Sequence, residues 1–183
     1  GCPMGSILVG SATEIGLALA RRGHAVHFIA SDVPQRLDAA MDNVFFHQVA
    51  TRDYPVFPHA PYALTLASSM IRVAEYHGLD VLHVHYAVPH ATSAWMAGQV
   101  LGARRPRIVT TLHGTDITLV GTDESLLPIT RHSVLQSDAL SAPSAALRDE
   151  TWARLGLTPE QAPIEVVPNF VDPARFHPLE GPD

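Results

Sequence analysis

The 183 residues are 46% hydrophobic and 16% charged, with a formal net charge of −6, the composition of a folded globular chain of ordinary domain size. An acidic balance without runs of like charge argues against a nucleic-acid groove or a polybasic membrane patch. All twelve basic residues are arginines, which excludes lysine Schiff-base chemistry and a P-loop lysine within these residues. The single cysteine, Cys2, has no internal partner and so points to a reducing compartment. No apolar run reaches the ~20 residues that span a bilayer, and the start GCPMGSILVG lacks a basic leader region. The expectation is a cytoplasmic protein without stable membrane insertion; a homo-oligomer stays open.

In chain order, Gly1 to Gly10 is glycine-rich with one apolar patch, Ile7-Leu8-Val9, and reads as loop. Ser11 followed by Glu14 is a capping-box pair that predicts a helix from Ser11 to Arg22, with Gly23 as its C′ residue. Strands are expected at 25–30 (AVHFIA) and 44–49 (VFFHQV). Pro55, Pro58 and Pro61 mark a loop into a helix carrying Leu66, Met70, Val73 and Ala74 at helical spacing, ended by Gly78. A strand starts at Val81, a helix covers 94–101, and a strand starts at Arg107. A helix over 128–136, a strand over 139–142, a helix from cap Ser144 to Leu155 with Gly156 as stop, a turn at Thr158–Gln161 and a strand over 164–167 complete the alternation. Strands and helices alternating in this way predict an α/β fold, a Rossmann-like parallel sheet with helices on both faces. No strand is evident before Gly5, so the first strand of such a sheet is expected to be missing. Residues 1–170 read as one domain, and the proline-punctuated 171–183 reads as the start of a linker.

The segment Arg107–Gly121, RIVTTLHGTDITLVG, organises the chain. A β-branched run suited to a buried parallel strand stops at His113-Gly114-Thr115-Asp116, placing an imidazole, a glycine, a hydroxyl and a carboxylate at a strand's carboxyl end. Open α/β sheets bind ligands at that edge. A second strand, VLHVHYAVPH, also ends in polar and aromatic groups. Turn chemistry alone would also account for Gly114 and Asp116.

The phrases TTLHGTDIT, HVHYAVPHAT, APYALTLAS and VVPNFVDPARFHP resemble the amino-terminal half of a retaining family-4 glycosyltransferase with the GT-B fold. LHGTDITLVG and HYAVPHA point within it to the malate-using subgroup of bacillithiol biosynthesis. The resemblance implies transfer of N-acetylglucosamine from UDP-N-acetylglucosamine to the hydroxyl of L-malate, with no metal and no other cofactor. It further implies a carboxy-terminal donor domain that these residues do not include. His113 matches the family's active-site histidine facing the transferred sugar, and Thr111 and Tyr86 match acceptor-pocket positions. Gly5-Ser6 matches the glycine-rich loop between first strand and first helix, where Gly5 would meet phosphate and Ser6 malate.

The partners implied are thus small molecules, and malate's two carboxylates call for a guanidinium. Arg131, on the helix after the HGTD loop, is the candidate by charge logic, with a solvated surface arginine as the alternative. For His113 the alternative is a neutral hydrogen-bonded core histidine; Asp116 is expected to bind backbone amides of its own loop. Other readings of the whole remain: a different acceptor such as a sugar, an inositol phosphate or a lipid, a non-catalytic anion-binding domain, or a metal site using His83 and His85 with His90, His113 or His132.

Overall fold

The protein is described by a computed structural model covering residues 5–34, 37, 41–53 and 55–170, with side chains from Ser11 onward. Twelve principal elements follow in the order α1 (Gly5–Arg21), β1 (Val26–Ala30), β2 (Val44–Gln48), α2 (Tyr62–His77), β3 (Val81–His85), α3 (Thr92–Leu101), β4 (Arg107–Thr111), α4 (Thr115–Thr118), α5 (Leu127–Leu135), β5 (Ala139–Ala142), α6 (Ala145–Leu155) and β6 (Ile164–Val166). The strands fall within a residue or so of their expected bounds. Local chemistry also ends the helices as expected. Ser144 accepts the Leu147 N–H at 3.2 Å to open α6, while Gly78 and Gly156 close α2 and α6 in left-handed conformations that an L-residue rarely adopts.

Two expectations fail here. The helix thought to open at Ser11 runs back to Gly5, so the Ser11–Glu14 pair lies inside α1. Gly5 and Ser6 are therefore helical, not part of a loop between a strand and a helix. The second is the continuity of the sheet. All pairings are parallel, but β1 pairs with β2 while β3, β4, β5 and β6 form a separate sheet in that order. A common doubly wound order is 3-2-1-4-5-6. Without its first strand that order would give a pair and a three-stranded sheet, whereas the larger sheet here has four strands.

Helices cover both faces of the small sheet. Gly16 of α1 sits so close to Phe28 and Val26 that a Cβ there would run into the Phe28 ring, and α2 packs on the opposite face, with Ile29 and Val49 joining Leu66, Met70, Leu82, Val84 and Ile108 in one core. A second core joins Leu112, Ile117, Val134, Leu140, Ala142, Leu147, Leu155 and Ile164. One face of the large sheet is fully buried: Leu82, Val84, Ile108, Thr110, Leu140, Ala142 and Ile164 point into these cores. By register, His83, His85, Thr111 and Ser141 share the other face. At the amino edge Asp138 takes two hydrogen bonds from the Arg105 guanidinium, one from Arg107 and one from the Ile108 N–H. Arg105, Arg107 and that N–H together hold its carboxyl far below the usual carboxylate range. Two of the twelve arginines are thereby committed at the end of the sheet opposite the HGTD loop.

Candidate functional site

The carboxyl edge of β3 and β4 is built around one buried carboxylate. Asp116, 1% exposed, lies in the first turn of α4 and accepts the N–H groups of His113 at 3.2 Å and Gly114 at 2.9 Å on Oδ1. Its Oδ2 accepts the N–H of Ala87 at 3.0 Å. Ala87 belongs to the kinked segment 87–91 after β3, in which Val88 is extended. Asp116 thus binds its own loop, as expected, and also fastens the HGTD loop to the HYAVPH loop. Three donors satisfy a charge that would otherwise be expensive to bury. The tight approach needs Gly114 at φ 108°, a conformation strained for any other residue.

Tyr86 sits between the loops at φ 79°. Non-glycine residues hold that region only when their surroundings fix them, and here the Tyr86 N–H donates to the Thr111 carbonyl at 3.0 Å while its own carbonyl accepts from Ala91 at 3.2 Å. Its ring lies 5.0 Å from that of His113 and 6.0 Å from that of His90.

Histidines line the same edge. His85 Nδ1 and His113 Nε2 share a proton at 2.8 Å, and His83 stacks on His85 at 4.9 Å. His83 Nε2 meets Thr111 Oγ1 at 2.8 Å, and Thr111 Oγ1 meets Ser141 Oγ at 2.8 Å, a polar row crossing three strands. His90 Nε2 lies 3.5 Å from the Tyr62 hydroxyl, which brings the start of the APYALTLAS segment to the site. The structure therefore gathers His113, Tyr86 and Thr111, and adds His85, His83, Ser141, His90 and Tyr62. Sequence reasoning held His83, His85 and His90 only as metal ligands and passed over Ser141 and Tyr62. The alternation in HVHY was the available signal, since it puts both strand histidines on one face.

One nitrogen of the Arg131 guanidinium is committed to a neighbouring helix. Its Nε–H donates to the Leu155 carbonyl at 3.1 Å, so its charge serves the C-terminal end of α6, where a cation is favourable. Its described hydrogen bonds include none to the histidine cluster. His132, of the proposed metal set, instead lies edge-on to Trp95 at 4.5 Å.

Burial drives the local electrostatics. The pKa of His85 is lowered from 6.5 to about 3, first by burial and then by the neighbouring His83, His113 and His90. Burial also lowers His83, aided by His113, and lowers His113 against the opposing pull of Asp116. Burial pushes the Tyr86 phenol up, with Asp116 adding to it and a hydrogen bond with Thr115 working against it. Neutral imidazoles and hydroxyls thus face the site near pH 7, suited to hydrogen bonding sugar or alcohol oxygens.

A pH dependence of stability follows. A histidine whose folded pKa lies below its unfolded value binds more protons when unfolded, so stability rises with pH across that window. For His85 the window runs from 6.5 down to about 3. Stability is expected to be full above pH 6.5 and to fall as pH drops below it, at a slope of up to about 1.4 kcal/mol per pH unit for His85. Chemical denaturation at pH 7.5, 6.0 and 5.0 measures this; His85→Gln should flatten the slope, and an unchanged slope would show that His85 is not buried neutral.

Among the described residues no helix is long and apolar enough to cross a membrane. The description "Glycosyltransferase Family 4" matches residues 10–175. The chain is also 48% identical over 168 residues to the N-acetyl-alpha-D-glucosaminyl L-malate synthase of Bacillus anthracis, a stretch covering 92% of this chain and 42% of that relative. Both matches include the HGTD and HYAVPH loops that Asp116 joins. With the α/β architecture of parallel strands and flanking helices already established, the chain belongs to glycosyltransferase family 4.

Proposed function

We propose that this chain forms the acceptor side of a retaining glycosyltransferase that moves N-acetylglucosamine from a UDP-linked donor to the hydroxyl of L-malate, a step of bacillithiol biosynthesis. The activity named for the relative supplies the substrate class. The observation that carries the reading is the junction of the two loops, where His113, bonded to His85, stands beside Tyr86, whose N–H donates to the Thr111 carbonyl. Since the chain spans 42% of that relative, the activity is proposed for the polypeptide that contains these residues. In this reading His113 hydrogen-bonds the transferred sugar, and Tyr86 and Thr111 present hydroxyls to the acceptor.

The deciding assay supplies that polypeptide with UDP-N-acetylglucosamine and offers L-malate, myo-inositol phosphate or no acceptor. Malate-dependent UDP release with an α-linked product is expected. Release with inositol phosphate and none with malate would replace the acceptor and keep the family. Arg131→Ala belongs in the same experiment. With its Nε–H on the Leu155 carbonyl, the variant should lose about 1–2 kcal/mol of stability and keep its malate KM. A malate KM raised about tenfold or more without loss of stability would return Arg131 to the acceptor site.

A further inference from the structure

A second group of histidines stands on the small sheet and the helix packed against it. We propose that His27 on β1, His47 on β2 and His77 at the end of α2 form a binding site for one divalent transition-metal ion of the zinc class. One ring nitrogen from each lies within 4.8 Å of the others, the only such group of three among the described residues. Three elements supply the ligands. Parallel pairing sets His27 opposite Phe45 and Ile29 opposite His47, so both strand histidines share the face on which α2 packs. Gly78 then ends α2 directly after His77. As the second residue of β1 and the last of α2, His27 and His77 belong to the amino edge. The HGTD loop and its histidine cluster lie at the carboxyl edge.

The donor set decides the metal. Three imidazoles without a carboxylate suit zinc, cobalt, nickel or copper and disfavour calcium and magnesium, which require oxygen ligands. His27 and His47 are half-buried while His77 is exposed, which leaves an open side for entry and for a water as fourth ligand. Phe45 stacks on His27 at 4.6 Å, and Tyr76 meets His77 edge-on at 4.7 Å, aromatic walls that restrict the rings. Without metal, His27 Nδ1 and His47 Nε2 share a proton at 2.9 Å. Binding moves that proton to the outer nitrogen of the same ring, so no net proton is released. The ion would clip β1 and β2 to α2 and stabilise the fold by linkage.

The test uses the chelator-treated polypeptide. Titration with Zn²⁺ by calorimetry and with Co²⁺ by visible absorption should show one equivalent bound per chain at micromolar protein, and Zn²⁺ should raise Tm where Mg²⁺ does not. His77→Ala should weaken binding about a hundredfold or more, since even losing a partner of a ligand costs 10–100-fold. If that variant does not fold, His47→Asn serves instead. No Zn²⁺ binding by the unaltered protein would overturn the proposal. So would an ion kept by His77→Ala and lost in His113→Ala, which would place it at the carboxyl-edge cluster.

Discussion

Replacing Asp116 by alanine should destabilise the protein more than any other single change at the site. Its two oxygens hold three backbone N–H groups from two loops, and the residue is 1% exposed. Alanine leaves those donors buried without partners, at about 1–3 kcal/mol for each that water cannot reach. Some relaxation of the loops is unavoidable, so the expected loss is about 3–5 kcal/mol, or roughly 10 °C in Tm for a chain of this size. Asp116→Asn separates charge from geometry. Its amide oxygen can still accept from His113 and Gly114, but its NH₂ then faces the Ala87 N–H, donor against donor. A smaller loss of about 2 kcal/mol is expected, with the HYAVPH loop released first. Thermal melts together with hydrogen exchange at Ala87 would show this. Normal stability with abolished transfer in Asp116→Asn would instead make the carboxylate a participant in the chemistry.

The largest effect on catalysis is expected at His113. It is held by a ring-to-ring hydrogen bond to His85 and by its own N–H on Asp116, and burial keeps its imidazole neutral. A ring fixed at both ends is suited to a hydrogen bond made at one position of the transferred sugar. Losing one such contact in the transition state typically costs on the order of 10²-fold. His113→Ala should therefore reduce kcat by about that factor while the backbone anchor on Asp116 keeps the fold. The KM for donor and malate should change less than kcat. A variant that melts far lower yet turns over normally would make His113 a core residue.

Much of this fold was legible one segment at a time. A β-branched run predicts β4, an apolar run predicts β3, the apolar spacing of Leu66, Met70 and Val73 predicts α2, and Ser144, Gly78 and Gly156 mark helix ends. Each signal depends on neighbours within a turn or two, which is why it can be read without the fold. The start of α1 shows the limit: Ser11 and Glu14 have the chemistry of a cap, yet the helix continues back to Gly5, because a capping pair does not stop a helix whose preceding residues also adopt helical angles.

The chemistry of the site was half visible. His113, Tyr86 and Thr111 stand in motifs, and the alternation of His83 and His85 follows from the period of a strand. What they meet depends on parallel register, set by packing across distant segments. His85 finds Thr111 and His113 only because β3 pairs with β4, and Thr111 finds Ser141 only because β4 pairs with β5. Charge logic chose Arg131 from its place in the chain, but tertiary packing gave its Nε–H to Leu155. His27, His47 and His77 are each unremarkable in sequence and converge only when α2 lies on β1 and β2. The sequence by itself determined the elements and the residues able to do chemistry, because propensity, periodicity and capping are local. Tertiary structure alone decided which of those residues meet, because hydrogen bonds and ligand sets form across 20 to 50 residues of separation and are fixed by how the sheets pair and the helices pack.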